Sequence, residues 1–542
     1  MPACSPSPAC SKDGAVTRKR WTDGKDPDEI SVFKLLERLD RISPDGEMAY
    51  SIPQGRGITH RQMFALSNQI AWFFRDRGFH ANDRVVLLGA NSLEYLILYC
   101  GVWRYGLTLV TINTEMNAMH LKGILGAVAP RLILHDRSFD PGPFRIATGD
   151  AQWLRFDEWH ADAASAAPDE LFALIRACPE TPGVQPVNAP EDFASIAFTS
   201  GTSSKPKGVV TTYRGNMANA ISTSMASDVG EEDRLLEFRA LSWASARGRF
   251  LSALATGCTM VVAERFSQSR FFDWIRDHGI TIAYCVPTVL NMLLERPARI
   301  TRADLPQLRF VTSSTAPLPL ERQRQFETTF GIPIVQFYGM SEAGNVACNP
   351  PDAPRIGSAG KICHMQDVRI LDPDGCALPQ GEVGEITTGS AMMAWGYLKD
   401  DGKLEPLGKT RISTGDLGYL DDEGYLHLTG RVKDLIIRGG ANIQPLEIDN
   451  VLLKHPGVSQ AATVGAPDRI YGEEVVSYVV AKDGVSVDTQ SIISHCSAHL
   501  PEAKMPKQVI FVEDIAKNDR GKVDRNAMKA LWVKSQGERR LN

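Results

Sequence analysis

The chain has 542 residues, a formal net charge of −5, 43% hydrophobic residues and 23% charged residues. This length predicts more than one domain, since single cores rarely exceed ~250–300 residues, and the composition is that of a globular protein. The mildly acidic charge, with no long basic run, argues against nucleic acid as the main partner.

The ten cysteines are scattered and form no C-x-x-C pair. Zinc and disulfide frameworks are therefore not expected, and a reducing compartment is favoured. The N-terminus lacks an apolar signal region, and no uncharged apolar run approaches the ~20 residues that span a bilayer. The sequence thus predicts a cytoplasmic protein without a membrane span.

The N-terminal part predicts a flexible leader followed by alternating strands and helices. Residues 1–28 are rich in Pro, Ser and charge, which is typical of a flexible segment. A capping box of Thr59 and Gln62 predicts the start of a helix. The pattern then predicts strands 84–88, 107–112 and 131–134 and helices 93–105 and 120–128. Such alternation indicates a parallel α/β sheet. Residues 138–190 are less patterned and are interpreted as a surface excursion.

The same alternation returns further along the chain, with strands predicted at 260–263, 280–285 and 308–312 and helices at 269–278, 287–294 and 320–330. From Gly357, short alternating strands and glycine turns predict a small antiparallel, barrel-like subdomain at about 357–430. After Lys433 the pattern changes to a small α+β domain, with helices 445–453 and 488–499 and strands 460–465 and 475–481.

The loop 199–208 joins two apolar runs, 193–198 and 209–212, and carries small hydroxyl residues, glycines and two lysines. Such a loop can fold around an anion, because free backbone N–H groups and lysines supply positive charge and glycines allow close approach. The P-loop pattern is excluded, because Gly201 and Gly208 are too far apart. Taken alone, an ordinary surface turn explains the loop equally well.

Two further stretches carry acidic and aromatic side chains. Tyr338 and Glu342 follow an apolar strand, and strand ends are where open α/β sheets bind ligands. Tyr338 could stack on a base or belong to the core, and Glu342 could hold a divalent cation. Asp416 lies in a glycine-flanked turn that suits ribose hydroxyls, although an ordinary Asx turn is the alternative.

Two basic stretches complete the set. Residues 430–443 place charge at the predicted domain junction, and Gly439 and Gly440 would permit close approach to a ligand. Residues 518–525 form a basic loop that contains Lys522. A plain charged linker and a solvated charge run are the respective alternatives.

In this order and at these spacings, the five stretches resemble the adenylate-forming superfamily of acyl-CoA synthetases, luciferases and non-ribosomal adenylation domains. The resemblance covers essentially the whole chain after the leader. It implies an N-terminal AMP-binding domain, 29–432, of two parallel α/β subdomains and the β-barrel-like subdomain. A small mobile α+β C-terminal domain, 433–542, would follow, with its hinge at Lys433.

The resemblance also implies the reaction and its residues. An ATP-dependent acid–CoA ligase would form an acyl-adenylate, release pyrophosphate and transfer the acyl group to CoA. The residues implied to bind ATP or AMP are Thr199, Ser200, Gly201, Thr202, Ser314, Thr315, Ala316, Phe337, Tyr338, Gly339, Ser341, Asp416 and Arg431. Lys207, Glu342 and Lys522 are the implied catalytic residues, with Mg²⁺ held by Glu342 and Thr202. Gly439 and Gly440 would turn toward CoA after the first step.

The chain departs from the family at several of these positions. Ser314 and Thr315 replace glycines of the adenine segment, and Ala516 replaces a proline of the lysine loop. In the acyl pocket, Ser242 or Trp243 falls near the usual histidine. Arg247 would favour a polar or anionic acid if it approaches the acyl group, and facing solvent is the equal alternative.

The acceptor is also inferred from the resemblance. CoA is favoured, and a stand-alone adenylation enzyme that loads a carrier protein is the main alternative. An inactive nucleotide-binding homologue and a luciferase-like oxidase stay open as well. A homodimer is one oligomeric state that the sequence leaves open.

Overall fold

The computed structural model describes residues 20–159, 170–199, 207–518 and 522–541. Its α-helices are α1 (Val32–Ile42), α2 (His60–Asp76), α3 (Leu93–Tyr105), α4 (Ala118–Val128), α5 (Leu171–Ile175), α6 (Tyr213–Ala226), α7 (Ala244–Thr256), α8 (Phe271–Asp277), α9 (Pro287–Glu295), α10 (Leu320–Phe330), α11 (Pro445–Leu452), α12 (Thr489–Ser497) and α13 (Arg525–Leu541). Short 3₁₀ helices are Pro27–Glu29, Gly142–Thr148, Arg302–Asp304, Val432–Asp434 and Glu502–Lys504.

The strands form three sheets. They are β1 (Glu47–Ser51), β2 (Arg56–Thr59), β3 (Arg84–Leu88), β4 (Thr108–Thr111), β5 (Leu132–His135), β6 (Gln152–Arg155), β7 (Phe193–Thr199), β8 (Lys207–Thr212), β9 (Arg234–Glu237), β10 (Thr259–Val262), β11 (Ile282–Ala283), β12 (Phe310–Ser313), β13 (Ile334–Met340), β14 (Gly344–Cys348), β15 (Gly360–Ile362), β16 (Gln366–Leu371), β17 (Gly384–Ser390), β18 (Gly396–Leu398), β19 (Leu404–Pro406), β20 (Ile412–Leu420), β21 (Tyr425–Arg431), β22 (Ile436–Arg438), β23 (Ala441–Ile443), β24 (Val458–Asp468), β25 (Gly472–Ala481) and β26 (Gln508–Phe511).

The sheet order confirms the predicted parallel α/β architecture. One sheet runs β19-β18-β8-β7-β4-β3-β5-β6, and its strands from β7 to β6 are parallel. The other large sheet runs from β2 through β1, β10, β9, β11 and β12 to β13, with parallel pairs from β1 onward. Helix α3 is buried along its whole length, which explains its continuous apolar sequence.

The predicted helix start at Thr59 is confirmed as a complete capping box on α2. The loop 199–208 is also framed as predicted, because the apolar runs on either side are strands β7 and β8. These strands pair antiparallel, with Ala197 opposite Val209. The chain therefore passes from strand to strand, whereas a P-loop passes from strand to helix.

Two predictions of local structure need correction. Part of the surface excursion 138–190 belongs to the sheet, since β6 pairs with β5 in parallel. A four-residue strand is too short to give a periodic signal, and its place is set by the neighbouring strand. The described part of the predicted leader, 20–28, is packed, because Arg20 is buried and donates hydrogen bonds to Val229 and Asp228.

The barrel-like region and the C-terminal region have the predicted character. Strands β14 to β17, β20 and β21 pair antiparallel, and this pairing begins earlier than 357, at the β13–β14 hairpin. Strands β22 to β26 form a separate sheet covered by α11, α12 and α13. Among the described residues, no helix has the length and apolar character needed to cross a membrane.

Candidate active site

Strands β13, β20 and β21 bring three predicted nucleotide residues together. Tyr338 donates a hydrogen bond to Asp416 Oδ2 at 2.8 Å, and Arg431 Nε donates to Oδ1 at 2.9 Å. Asp416 and Arg431 are direct partners in the β20–β21 ladder, which fixes their separation. Burial, and then the negative charge of Asp416, raises the pKa of Tyr338. Its phenol therefore stays a hydrogen-bond donor at neutral pH.

A second cluster lies beside the first and joins Glu342 to Lys207. Tyr397 donates a hydrogen bond to Glu342 Oε1 at 3.1 Å, and Lys207 Nζ lies 5.6 Å from the Tyr397 ring centroid. Pairing of β18 with β8 places Tyr397 opposite Val209, two residues from Lys207. Burial, and then Glu342, raises the pKa of Tyr397. The cluster thus combines a carboxylate with a lysine, a set that suits phosphates and a bound cation.

The segment 314–316 follows β12, and β12 lies next to β13 with Ser313 opposite Gln336. Ser314 is buried, and its hydroxyl has no hydrogen-bond partner among the described residues. Thr315 is exposed and has φ +72°, a left-handed conformation that favours glycine. The backbone at Thr315 therefore has a conformation that suits glycine better than threonine. Ala316 is half-buried beside it.

Of the remaining residues predicted to bind the nucleotide, some lie on or next to strands and others lie outside the described residues. Phe337 and Gly339 lie on β13, and Ser341 follows in the turn to β14. A Cβ atom on Gly339 would lie 2.3 Å from the Gly344 carbonyl oxygen, so only glycine fits there. Thr199 ends β7. Three predicted residues of the loop, Ser200, Gly201 and Thr202, lie outside the described residues.

The predicted acyl-pocket segment 240–243 is held by side chains of α3, of the loop before it and of β4. Asn91 accepts a hydrogen bond from the Leu241 amide at 2.8 Å, and Tyr99 donates to the Leu241 carbonyl. Thr111 donates to the carbonyl of Ser242 at 2.7 Å. Ser242 is buried and Trp243 is half-buried at the start of α7. The segment is therefore rigidly positioned by residues that its own sequence does not reveal.

Arg247 lies on the first turn of α7 and is only 4% exposed. This excludes the alternative in which Arg247 faces solvent. Its Nη1 has no hydrogen-bond partner among the described residues. Burial lowers the pKa of its guanidinium, but arginine keeps its charge in proteins. The predicted acyl-pocket segment thus lies next to a helix that carries a buried positive charge.

A buried ion cluster lies next to this arginine. Glu237 is fully buried and accepts hydrogen bonds from Arg239 Nε and Nη2 at 2.8 and 2.7 Å. Arg249 Nη1 also donates to Glu237, at 2.8 Å. One carboxylate thus satisfies two guanidinium groups, which is the paired arrangement expected for buried charges.

The other predicted residues, Lys433, Gly439, Gly440 and Lys522, lie in the C-terminal part of the chain. The Lys522 N–H donates a hydrogen bond to the side-chain Oδ1 of Asn518 at 3.1 Å, and its carbonyl accepts one from the Asn518 N–H at 2.8 Å. Lys433 is exposed in the 3₁₀ helix Val432–Asp434. Gly439 and Gly440 form the exposed turn between β22 and β23, with φ values of 57° and 86°.

Several side chains of the site were not predicted from the sequence, namely Tyr397, Asn91, Tyr99, Thr111 and the Glu237 cluster. Tyr397 lies in Trp395-Gly396-Tyr397, where a strand of three residues carries no distinctive pattern. Asn91 precedes α3 and Tyr99 lies within it, in an apolar stretch that reads as core. Glu237 is the last residue of β9 and follows two buried leucines. A carboxylate at such a position is the one sequence feature that indicates a buried charged cluster.

Comparison with known proteins gives the family. Residues 38–398 match the model of the AMP-binding enzyme family, and residues 447–522 match the AMP-binding enzyme C-terminal domain. The chain is 33% identical to a sulfoacetate–CoA ligase of Cupriavidus necator, over 92% of this chain and 98% of the relative. It is 31% identical, with the same coverage, to the long-chain-fatty-acid–CoA ligase FadD13 of Mycobacterium tuberculosis.

A solved structure has the same fold as this chain over most of its length. ATP-bound MatB from Rhodopseudomonas palustris superposes with a TM-score of 0.81 at 26% identity, covering 93% of this chain and 99% of MatB. The chain therefore belongs to the AMP-binding enzyme family, as the resemblance to the adenylate-forming superfamily predicted. It is an acid–thiol ligase of the AMP-forming acyl-CoA synthetase type. ATP and CoA are the substrates of such ligases.

Proposed function

We propose that this ligase activates a small polar or anionic carboxylic acid as an acyl-adenylate and then transfers the acyl group to CoA. The observation that carries the proposal is the short segment from Tyr338 to Glu342. It supplies an aromatic ring linked to Asp416 and a carboxylate linked to Tyr397. One strand end can thus serve both the nucleoside and the phosphates of ATP.

In the first step, the carboxylate of the acid attacks the α-phosphorus, and the bond to pyrophosphate breaks. Tyr338 would stack on adenine, and the oxygens of Asp416 would accept hydrogen bonds from the ribose hydroxyls. Lys207 and the loop 199–208 would neutralise the departing phosphates. Lys522 would bridge the carboxylate and the α-phosphate. Such positioning and charge neutralisation provide most of the catalysis in this kind of transfer.

Glu342 fits the role of a magnesium ligand because it is half-buried and its Oε1 accepts one hydrogen bond, from Tyr397. Thr202 is the proposed second ligand, in the part of the loop outside the described residues. Bound Mg²⁺ supplies charge neutralisation on the phosphate oxygens. The hydrogen bond from Tyr397 would keep the Glu342 carboxylate in a fixed orientation for this role.

In the second step, the thiol of CoA attacks the acyl carbon, loses its proton, and AMP departs with the former carboxylate oxygen. Rotation about Lys433 would withdraw Lys522 and turn the Gly439–Gly440 face toward the thiol. The exposed position of Lys433 and the positive φ values of both glycines support these roles. The C-terminal domain would thus serve the two steps in turn.

The names of the two relatives agree on the reaction, the ligation of an acid to CoA, but they differ in the acid. One relative is named for sulfoacetate, an anionic acid, and another for long-chain fatty acids. The size and polarity of the acid are therefore proposed from the pocket of this chain. Buried Arg247 supports an acid with a polar or charged substituent.

The test is pyrophosphate release from ATP over a panel of carboxylic acids, with and without CoA, followed by mass analysis of the products. We expect acid-dependent release, with AMP and the acyl-CoA as products. Equal turnover without CoA would favour loading of a carrier protein. Release that is independent of any acid, or no release with every acid, would contradict the proposal.

A further inference from the structure

Among the described residues around α7, the positive charge of the buried arginines exceeds the negative charge of the buried carboxylate of Glu237. Arg239, Arg247 and Arg249 are all at least nine-tenths buried, and among the described residues Glu237 is the carboxylate that pairs with two of them, Arg239 and Arg249. Three guanidinium groups against one carboxylate leave two positive charges in excess. Unpaired buried charge is costly, so such an excess is typical of a site that receives an anion.

The excess is concentrated on particular atoms. Glu237 accepts hydrogen bonds from Arg239 and Arg249, while no described carboxylate forms an ion pair with Arg247. Nη1 of Arg247 and Nη1 of Arg239 are both buried without a hydrogen-bond partner among the described residues. A guanidinium donor that is desolvated and unpaired matches the geometry of a carboxylate or sulfonate oxygen.

The neighbours of Arg247 do not neutralise it. Its electrostatic neighbours are Tyr95 and Tyr99, whose hydroxyl groups donate to the backbone carbonyls of Leu87 and Leu241. Burial raises the pKa of both phenols, so both stay protonated and uncharged. In the part of the chain that the structure describes, the environment of Arg247 is therefore polar but lacks a counter-charge.

The N-terminus of α7 adds donors at the same place. Trp243 is its N-cap residue and makes no side-chain capping hydrogen bond. Helical side chains lean toward the N-terminus, so Arg247, on the first turn, extends in that direction. Trp243 and Ser245 are partly exposed, which leaves this end open to solvent. The helix dipole strengthens the preference for an anion next to the buried arginine.

This end of α7 is also connected to the nucleotide site. A Cβ on Gly248 would lie 3.1 Å from Asn219 Nδ2, and Asn219 Oδ1 accepts a hydrogen bond from the Asn345 amide. Asn345 follows Glu342 by three residues. Asn219 therefore links α7 to the β13–β14 hairpin, whose turn carries Glu342.

We infer that Arg247 is the specificity-determining residue of the acyl pocket and binds a second anionic group on the acid, a carboxylate or sulfonate remote from the reacting carboxylate. This inference rests on the proposed acid–CoA ligase function and adds the substrate class. Arg239, which carries the other unpaired donor, assists from the adjoining strand end. Asn91 keeps the backbone of this segment in place through its hydrogen bonds with Arg239 and Leu241.

The test compares two acids of the same shape, sulfoacetate and (methylsulfonyl)acetate, of which only the first carries the second charge. In the wild-type enzyme, kcat/KM for CoA-thioester formation should be higher for sulfoacetate by roughly 30-fold or more, the usual size of a buried charge-pair effect. Arg247→Gln should remove most of this ratio, chiefly through KM, while turnover of the neutral acid persists. Arg247→Lys should restore part of the preference.

Arg249→Gln is the matched control, because Arg249 is buried on the same helix but already paired with Glu237. It should lower kcat/KM for both acids alike. If Arg247→Gln also lowers both alike, or if wild type prefers the neutral acid, the inference is overturned while the ligase function stands. If neither acid is turned over, the Tm of each protein with and without sulfoacetate tests whether the anion binds at Arg247. Sulfoacetate should raise the Tm of wild type and of Arg247→Lys but not that of Arg247→Gln, and an equal effect on all three refutes the site.

Discussion

Tyr338 and Asp416 are joined by a side-chain hydrogen bond of 2.8 Å although 78 positions separate them in the chain. The bond connects β13 of the parallel sheet to β20 of the antiparallel region. Arg431 binds the other oxygen of the same carboxylate at 2.9 Å. Asp416 is therefore held in one orientation, and each of its oxygens keeps a lone pair for the proposed hydrogen bonds with the ribose hydroxyls.

Asp416→Asn should weaken ATP binding with little change in shape. The amide removes the charge that pairs with Arg431 and one acceptor for ribose, so we expect the KM for ATP to rise roughly tenfold, as for loss of a charged hydrogen bond. The measurement is acid-dependent pyrophosphate exchange at varied ATP. Asp421→Asn is the control, because Asp421 binds Arg355 and His427 elsewhere in the same sheet. An unchanged KM for ATP in Asp416→Asn would contradict the assigned role.

Tyr397→Phe should impair the cation site specifically. The substitution deletes the hydrogen bond to Glu342 Oε1 and keeps the ring beside Lys207. We expect the apparent KM for Mg²⁺ to rise several-fold, with a fall in kcat of about tenfold, because the partner that orients the proposed metal ligand Glu342 is lost. Rates are measured over a magnesium titration. Tyr425→Phe, whose hydroxyl donates only to the Ala353 carbonyl among the described contacts, should leave both values unchanged. Equal magnesium dependence in both variants would refute the proposal.

The residues that could be predicted from the sequence are those in short local stretches. Tyr338 and Glu342 share one strand end, and Asp416 and Arg431 lie in stretches whose glycines give a recognisable pattern. Tyr397 could not be found this way, because its contact with Glu342 spans 55 positions and depends on the pairing of β18 with β8. The contact belongs to the tertiary fold and has no local pattern.

The acyl pocket shows a second limit of sequence reasoning. Arginine is usually exposed, and the sequence around Arg247 does not show whether it faces solvent or the interior. In the structure, both arginines of α7, Arg247 and Arg249, are buried. Their burial depends on Glu237 and on tyrosines of α3, which approach only in the folded chain. The charge balance of the pocket therefore could not be read from the sequence.

Thr315→Gly should stabilise the protein slightly. Thr315 has φ +72°, whereas glycine adopts this conformation without strain. The relief of strain, offset by the greater freedom of glycine in the unfolded chain, predicts a gain of up to about 1 kcal/mol in the free energy of unfolding. Urea denaturation provides the measurement. Thr301→Gly, at φ −127°, should instead lower the stability. A loss of stability in Thr315→Gly would show that the threonine side chain has a binding or packing role.

Lys522→Ala should separate the two half-reactions. The variant should lose adenylate formation, because the proposed bridge between the carboxylate and the α-phosphate is gone, and keep thioester formation from supplied acyl-adenylate and CoA. Each half-reaction is assayed in single turnover. Lys517→Ala is the control in the same loop, since Lys517 pairs with Asp514. Equal loss of both half-reactions in Lys522→Ala would contradict this assignment.

Arg525→Gln should destabilise the C-terminal domain, and the loss should depend on pH. Arg525 donates to Asp449 Oδ2 and to the Thr463 carbonyl, each at 2.6 Å, and Asp449 is buried. Removal of one partner of a buried ion pair typically costs about 3–5 kcal/mol. Burial raises the pKa of Asp449, and Arg525 opposes this increase. In the variant the folded-state pKa should rise further above the unfolded value.

A carboxyl group whose folded pKa is raised stabilises the fold when protonated, and this stability is lost as the pH rises above the unfolded value of about 4. The deficit of Arg525→Gln should therefore be small near pH 4 and grow toward pH 7. Urea denaturation at several pH values measures it. The double variant with Asp449→Asn should recover part of the loss at pH 7, because no buried charge then lacks a partner. Arg276→Gln, at an exposed pair with Asp273, should change the stability little at every pH. A pH-independent deficit in Arg525→Gln would mean that the side chain acts through packing and not through the charge of Asp449.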